Sequence, residues 1–187
     1  MQKKFSQTDK IVISAIFLAM ALIIGRFRIV VPYAGVPFLK ITFSGPLYKF
    51  IAIIFGPVYG GIIPALADFI GATIDPIGNY IWMFTAVAFI KGFLIGLIWK
   101  CTEKFRNNDN KLWFYIALII SVSIPDFISS VLNTFIMKLY LLLPEKSFFI
   151  ILISRLCKEF FMTIFNIIIL AIIINVYEKI IVRGGSQ

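Results

Sequence analysis

The chain has 187 residues, 60% of them hydrophobic, and a mean hydropathy of +0.98. One domain of that length (1–187), with apolar runs long enough to span a bilayer, is an integral membrane protein and not a soluble one. The net charge of +9 fits cytoplasmic loops and anionic headgroups better than nucleic acid, and the lack of histidine removes the commonest metal ligand and neutral-pH base.

Six spans can be drawn. The start, Met1 to Lys4 followed by an apolar run with Ala19-Met20-Ala21, resembles a signal peptide. The run continues through Ile24, however, and Arg26 and Arg28 follow at once, so it reads as a first span, about Lys10 to Gly25. The second, about Leu39 to Phe55, and the third, about Pro57 to Ile74, are separated only by Gly56-Pro57. A glycine free to take positive φ, then a proline at a new helix's first turn, predicts a tight helical hairpin. The fourth runs about Ile81 to Cys101, the fifth about Leu112 to Leu139 and the sixth about Phe148 to Val182. The last two exceed the ~20 residues needed to cross, which predicts tilt, a kink at Pro125 or projection beyond the membrane.

An even number of spans puts both ends on one side. That side carries Lys3, Lys4, Lys10, Lys100, Lys104, Arg106, Lys111, Lys179 and Arg183, against Arg28, Lys40, Lys138 and Lys146 opposite, with Arg26 at the edge. The bias places both termini in the cytoplasm. Two connections then face outward, Phe27 to Lys40 and Asp75 to Tyr80. The first is rich in proline and large apolar residues, as expected of a segment folding back over the bundle as a lid. Cys101 and Cys157 lie in separate apolar segments and imply buried or interfacial thiols, with no disulfide framework.

Charges inside the spans carry most of the information. Lys49, Asp68, Lys91, Asp126, Arg155, Lys158 and Glu159 each cost about 2.5–3.5 kcal/mol at the membrane centre, so each needs a partner or water. Arg155 and Glu159 stand i,i+4 and could pair on one helix, and Asp68 could neutralise Lys49 or Lys91. Asp126, Ser130 and Asn133 form a polar stripe on the fifth span. Arg26, Arg155 and Lys158 could converge near the outer surface, where Phe38, Phe43, Tyr80, Trp82 and Phe84 crowd. Cations beside aromatic walls suit a planar anionic ligand, while the plain alternative is an interfacial aromatic belt with snorkelling cations. Ala15 and Ala19 make a small-residue strip for helix approach, within the bundle or to a partner. Gly56 with Gly60, and Gly92 with Gly96, read as internal packing.

Several functions are excluded or unsupported. There is no nucleotide-cradling glycine loop ending in Lys-Ser or Lys-Thr, no filter sequence for a pore and no acid–base or nucleophile constellation. Uphill transport would therefore need an ion-coupled carboxylate, Asp68 or Asp126, or partners that hydrolyse ATP.

In chain order come Gly25-Arg26-Phe27, then Phe55-Gly56-Pro57-Val58-Tyr59-Gly60-Gly61, then Ala65-Leu66-Ala67-Asp68-Phe69-Ile70-Gly71-Ala72. Pro76-x-Gly78-x-Tyr80 leads to Phe84-Thr85, and Leu132-Asn133-Thr134 precedes Arg155-x-x-Lys158. Over most of its length the chain thus resembles the substrate-binding S component of energy-coupling factor (ECF) vitamin transporters, most closely the folate type. The resemblance implies an all-α bundle of six transmembrane helices in the cell membrane of a prokaryote, binding a vitamin from outside. It implies no enzyme activity and no cofactor beyond the ligand. The expected partners are a membrane coupling subunit and two ATPase subunits, met through Ala15 and Ala19. The expected ligand contacts are Arg26, Asn133, Arg155 and Lys158, with Phe43, Tyr80, Trp82 and Phe84 as walls and Thr85 beside them. Asn133 or Asp68 would pair with a pteridine edge. The other readings are a different vitamin (pantothenate, a pyridoxine-type compound or cobalamin), a stand-alone proton-coupled transporter, or a membrane enzyme acting on lipid or prenyl substrates.

Overall fold

The Ser6 backbone N–H donates to the Asp9 carboxylate at 3.1 Å, and this cap opens α1 (Gln7–Arg26). In the computed structural model, which describes residues 5–33, 36–74, 80–103, 111–141 and 145–184, α1 leads into a two-stranded antiparallel hairpin. Its strands are β1 (Arg28–Tyr33) and β2 (Val36–Thr42), paired from Arg28 opposite Thr42 to Tyr33 opposite Val36. The register slips between Val31 and Pro32, where proline can donate no ladder hydrogen bond. There follow α2 (Gly45–Phe55), α3 (Pro57–Ile74), α4 (Trp82–Cys101), α5 (Lys111–Leu141) and α6 (Glu145–Gly184).

Two expectations need correction. The protein is nearly all-helical and not all-α, because the connection after α1 is a β-hairpin. Its β-branched residues Ile29, Val30, Val31, Val36, Ile41 and Thr42 favour the extended chain. The second span is correspondingly not a full helix, since Leu39–Thr42 belongs to β2 and α2 has only 11 residues. At 1.5 Å per residue α2 is about 16 Å long, half the hydrocarbon thickness. Among the described residues, five helices are long and apolar enough to cross a membrane: α1, α3, α4 and the apolar stretches Leu112–Tyr140 of α5 and Phe148–Tyr177 of α6. Their outward faces carry large apolar side chains such as Ile23, Phe161 and Ile172, which suits lipid and not water.

The turn between α2 and α3 is as tight as its sequence predicts. Gly56 takes φ 85°, closed to most side chains, and Pro57 begins α3. This turn lets α2 and α3 run side by side at one end of the bundle, opposite the hairpin end. Across from it, α3 and α4 touch backbone to backbone: a Cβ placed on Gly92 would lie 1.8 Å from the Gly60 carbonyl oxygen. Both small-residue pairs therefore serve internal packing.

Apolar and polar cores are segregated along the bundle axis. Near the Gly56–Pro57 end, Phe50, Ile51, Ala52, Ile63, Ile95, Trp99, Leu118, Val122 and Leu170 form one dry cluster, with Phe17 stacked on Phe50 at 5.1 Å. Nearer the hairpin a polar group is buried, Lys49, Asp126, Ser129, Ser130, Thr134, Glu159 and Thr163, alongside apolar residues such as Val87, Met137 and Ile151. Cys101 and Cys157 are free and lie on the outer surface of the bundle.

Candidate functional site

The polar half of the bundle is held by one network running through four helices. Lys49 (α2) meets Asp126 (α5) at 2.5 Å, and Lys91 (α4) meets the other oxygen of Asp126 at 2.8 Å. Thr163 (α6) donates to Asp126 Oδ2 at 2.9 Å. Lys91 also reaches Glu159 Oε1 at 3.3 Å, and Lys158 holds Glu159 Oε2 at 2.7 Å. Helical spacing explains why these residues meet. Arg155, Glu159 and Thr163 recur every four residues on one face of α6, while Asp126, Ser130, Asn133 and Met137 share a face of α5. Burial without partners would make each charge costly, and the alternation of sign relieves that cost.

The network lies below the helix ends of the hairpin side. From Trp82 to Lys91 α4 descends about 13 Å, and from Leu141 to Asp126 α5 descends about 22 Å. The short α2 begins only about 6 Å above Lys49. Its first residue packs closely on α6, where the Asn166 side-chain oxygen lies 2.8 Å from where a Cβ on Gly45 would be. The Lys49–Asp126 pair thus forms a floor, and the longer arms of α3 to α6 rise beyond it.

A second polar group lies between α3 and α4. Thr85 donates to Asp68 Oδ2 at 2.6 Å, and the Tyr80 and Thr85 hydroxyls are 2.7 Å apart. Tyr80 packs edge-on against Phe69, with centroids 5.9 Å apart. Thr85 lies about 9 Å above Lys91 along α4.

The residues picked from the sequence fall into three places. Asp68, Tyr80 and Thr85 come together as described, with Phe84 beside them on α4 and Trp82, 62% exposed, at its first turn. Arg155, Lys158 and Asn133 stand on the arms of α5 and α6; Lys158 is paired with Glu159, and the Arg155 guanidinium lies against the Met137 sulfur. Asn133 keeps a buried side-chain oxygen with no hydrogen-bond partner among the described residues. Arg26 closes α1 and Phe43 precedes α2, its ring edge-on to Phe165 of α6 at 5.7 Å. Phe43 thus packs against α6 and Tyr80 against α3. Ala15 and Ala19 are exposed, while Ser14 and Ala21 of the same helix pack inward. The connection 75–79, expected to face outward, lies outside the described residues, as do Lys3, Lys4, Lys104 and Arg106.

Glu159 is bound by Lys91 and Lys158, and the Arg155 guanidinium one turn earlier lies against Met137. The suggested pairing of Asp68 with a lysine is not the one formed. Asp68 accepts from Thr85, while Lys49 and Lys91 both go to Asp126. Spacing along one helix names neighbours, but the rotation of four helices chose the partners. Thr163 was missed altogether; its place four residues after Glu159 was the available signal.

A small apolar cleft with about 130 Å³ of empty space lies between α4 and α5, lined by Val87, Ile90, Lys91, Leu94, Pro125 and Leu132 among others. It is a surface crease open to the outside and has no interior room for a ligand.

A family model described as the ECF transporter, substrate-specific component, matches residues 9–174. The chain belongs to this family. Solved S components share its fold. FolT bound with folic acid superposes with a TM-score of 0.61 at 23% identity, covering 87% of this chain and 89% of that one. The S component for biotin from an ECF-type ABC transporter gives 0.58 at 20%, covering 89% and 92%. An S component of a bacterial ECF transporter gives 0.57 at 18%, covering 97% and 100%. Against curated protein sequences the chain has no match.

Proposed function

We propose that this S component binds an anionic, water-soluble vitamin of the folate type at the hairpin end. That end faces outside, both termini are cytoplasmic, and delivery requires a membrane coupling subunit with two ATPase subunits. The observation that carries the reading is the charge balance of the buried network. Among the described residues Lys49, Lys91 and Lys158 make their ion pairs with Asp126 and Glu159, three cations on two carboxylates. A surplus of positive charge at a part-buried site favours an anion.

The neutral groups suit a heteroaromatic head. The unpartnered oxygen of Asn133 can accept from a ring N–H, and Asp68 can do the same on the opposite wall. Tyr80 and Phe43 offer ring faces or edges. FolT bound with folic acid shares the fold, which is compatible with folate, as the biotin S component is with biotin. The ranking of folate ahead of pantothenate, a pyridoxine-type compound or cobalamin rests on the site's cations and ring-facing polar groups.

A proton-coupled transporter acting alone is the second reading. It needs a carboxylate that can be loaded and unloaded, and both oxygens of Asp126 are taken by lysines. Vesicles holding only this chain should bind folic acid without accumulating it. Uptake driven by a pH gradient and abolished by Asp68→Asn would establish the second reading instead.

A further inference from the structure

Glu159 has an unusual position for a structural counter-ion. Its two oxygens are divided between two lysines, Oε1 on Lys91 at 3.3 Å and Oε2 on Lys158 at 2.7 Å. Lys91 has a second partner in Asp126, at the shorter distance of 2.8 Å, and the Lys91 and Lys158 side chains are 29% and 23% exposed. The deeper pair differs on both counts: Lys49 and Asp126 are 3% and 0% exposed and are closed off by Thr163. The network therefore has a fully buried inner half and an outer half whose two lysines are part-exposed, with Glu159, 9% exposed, between them. In the outer half a carboxylate bridges two ammonium groups.

From this arrangement we infer that Glu159 is a built-in competitor, occupying between Lys91 and Lys158 the place that a ligand carboxylate takes. The proposal rests on the reading of the chain as an S component for an anionic vitamin, and it names the subsite and the ligand group. An incoming carboxylate presents the same two oxygens at the same separation, so it can replace Glu159 on both lysines without moving either. Displaced, Glu159 turns toward Arg155, four residues earlier on the same face of α6, and keeps a cationic neighbour. Asp126 and Lys49 are not exchanged, because removing either would leave a buried charge alone. The exchange supplies selectivity as well as affinity. A neutral compound cannot displace Glu159 and must leave the bridge closed, whereas an anion is accepted at little net cost in charge.

The test is equilibrium titration of the full chain in detergent with folic acid, biotin and pantothenate, each also as an uncharged methyl ester or alcohol. Glu159→Gln keeps the shape of the side chain and removes the competing charge. The expected result is binding of the acid about tenfold tighter than in the wild type, the size of one charge-assisted hydrogen bond, with the uncharged analogue unchanged. Lys158→Met, on the more exposed lysine, should weaken the acid and again spare the analogue. Equal or weaker binding of the acid by Glu159→Gln, or parallel changes for acid and analogue, would overturn the proposal. If biotin or pantothenate shows the expected pattern while folic acid does not bind, the exchange stands and only the folate assignment falls. If none of the three acids binds, the exchange is overturned.

Discussion

Lys49 of α2 and Asp126 of α5, 77 positions apart in sequence, meet at 2.5 Å in the interior, with side chains 3% and 0% exposed. The contact links the short helix at the centre of the bundle to the long α5–α6 hairpin. It also marks where the apolar core stops and the polar half begins.

Removing one partner of such a pair should cost much more than removing both. Lys49→Met leaves Asp126 with Lys91 and Thr163 alone, and a loss of about 3–5 kcal/mol is expected. The double variant Lys49→Met/Asp126→Leu should recover part of that loss, even though it also frees Lys91. Thermal unfolding of detergent-solubilised protein in a double-mutant cycle measures the difference. Additive losses would mean that the two side chains are not coupled.

The α3–α4 contact should tolerate no side chain at its centre. At Gly92 even a methyl group meets the Gly60 carbonyl, so Gly92→Ala should destabilise by about 1–3 kcal/mol or more. Gly71, also on α3, has no neighbour within 4 Å of an added Cβ. There the alanine variant should be neutral or gain about 0.5–1 kcal/mol from helix propensity. Melting temperatures of the two single variants, measured side by side, check the contrast.

The Tyr80–Thr85–Asp68 chain should position a binding carboxylate. Thr85→Val keeps the volume and removes the hydroxyl shared by both neighbours, so vitamin affinity should fall about tenfold. Thr85→Ser should restore most of it. Ligand titration reads both, and an unchanged affinity in Thr85→Val would assign the chain a purely structural role.

The exposed strip on α1 should matter for transport and not for capture. A bulky residue at Ala15 or Ala19 should abolish ATP-driven uptake in the assembled transporter and leave vitamin affinity close to that of the wild type. Uptake that survives Ala15→Leu and Ala19→Leu together would remove the strip from the coupling interface.

Much of the architecture was legible because membrane insertion imposes simple rules. Long apolar runs set five spans, and Gly56-Pro57 set the turn between α2 and α3 through the backbone freedom of one residue and the fixed φ of the next. The segment Phe27 to Thr42 was harder. It is apolar and β-branched, and hydropathy alone does not separate a strand lying over a bundle from the start of a helix inside it. The charged residues of the site were visible as anomalies, yet their pairing was not. Arg155 and Glu159 satisfy the i,i+4 rule, yet Glu159 also reaches Lys91 of another helix, because α4 and α6 face each other at that level. Ion-pair choice follows from helix rotation, which the order of residues does not state.

The most direct measurement is calorimetric titration of the purified chain with a panel of vitamins in one buffer. The account predicts saturable, tight binding of folic acid at one molecule per chain, weakened in Asn133→Leu and in Lys158→Met. No heat from folic acid, together with strong binding of an uncharged or cationic vitamin, would contradict it.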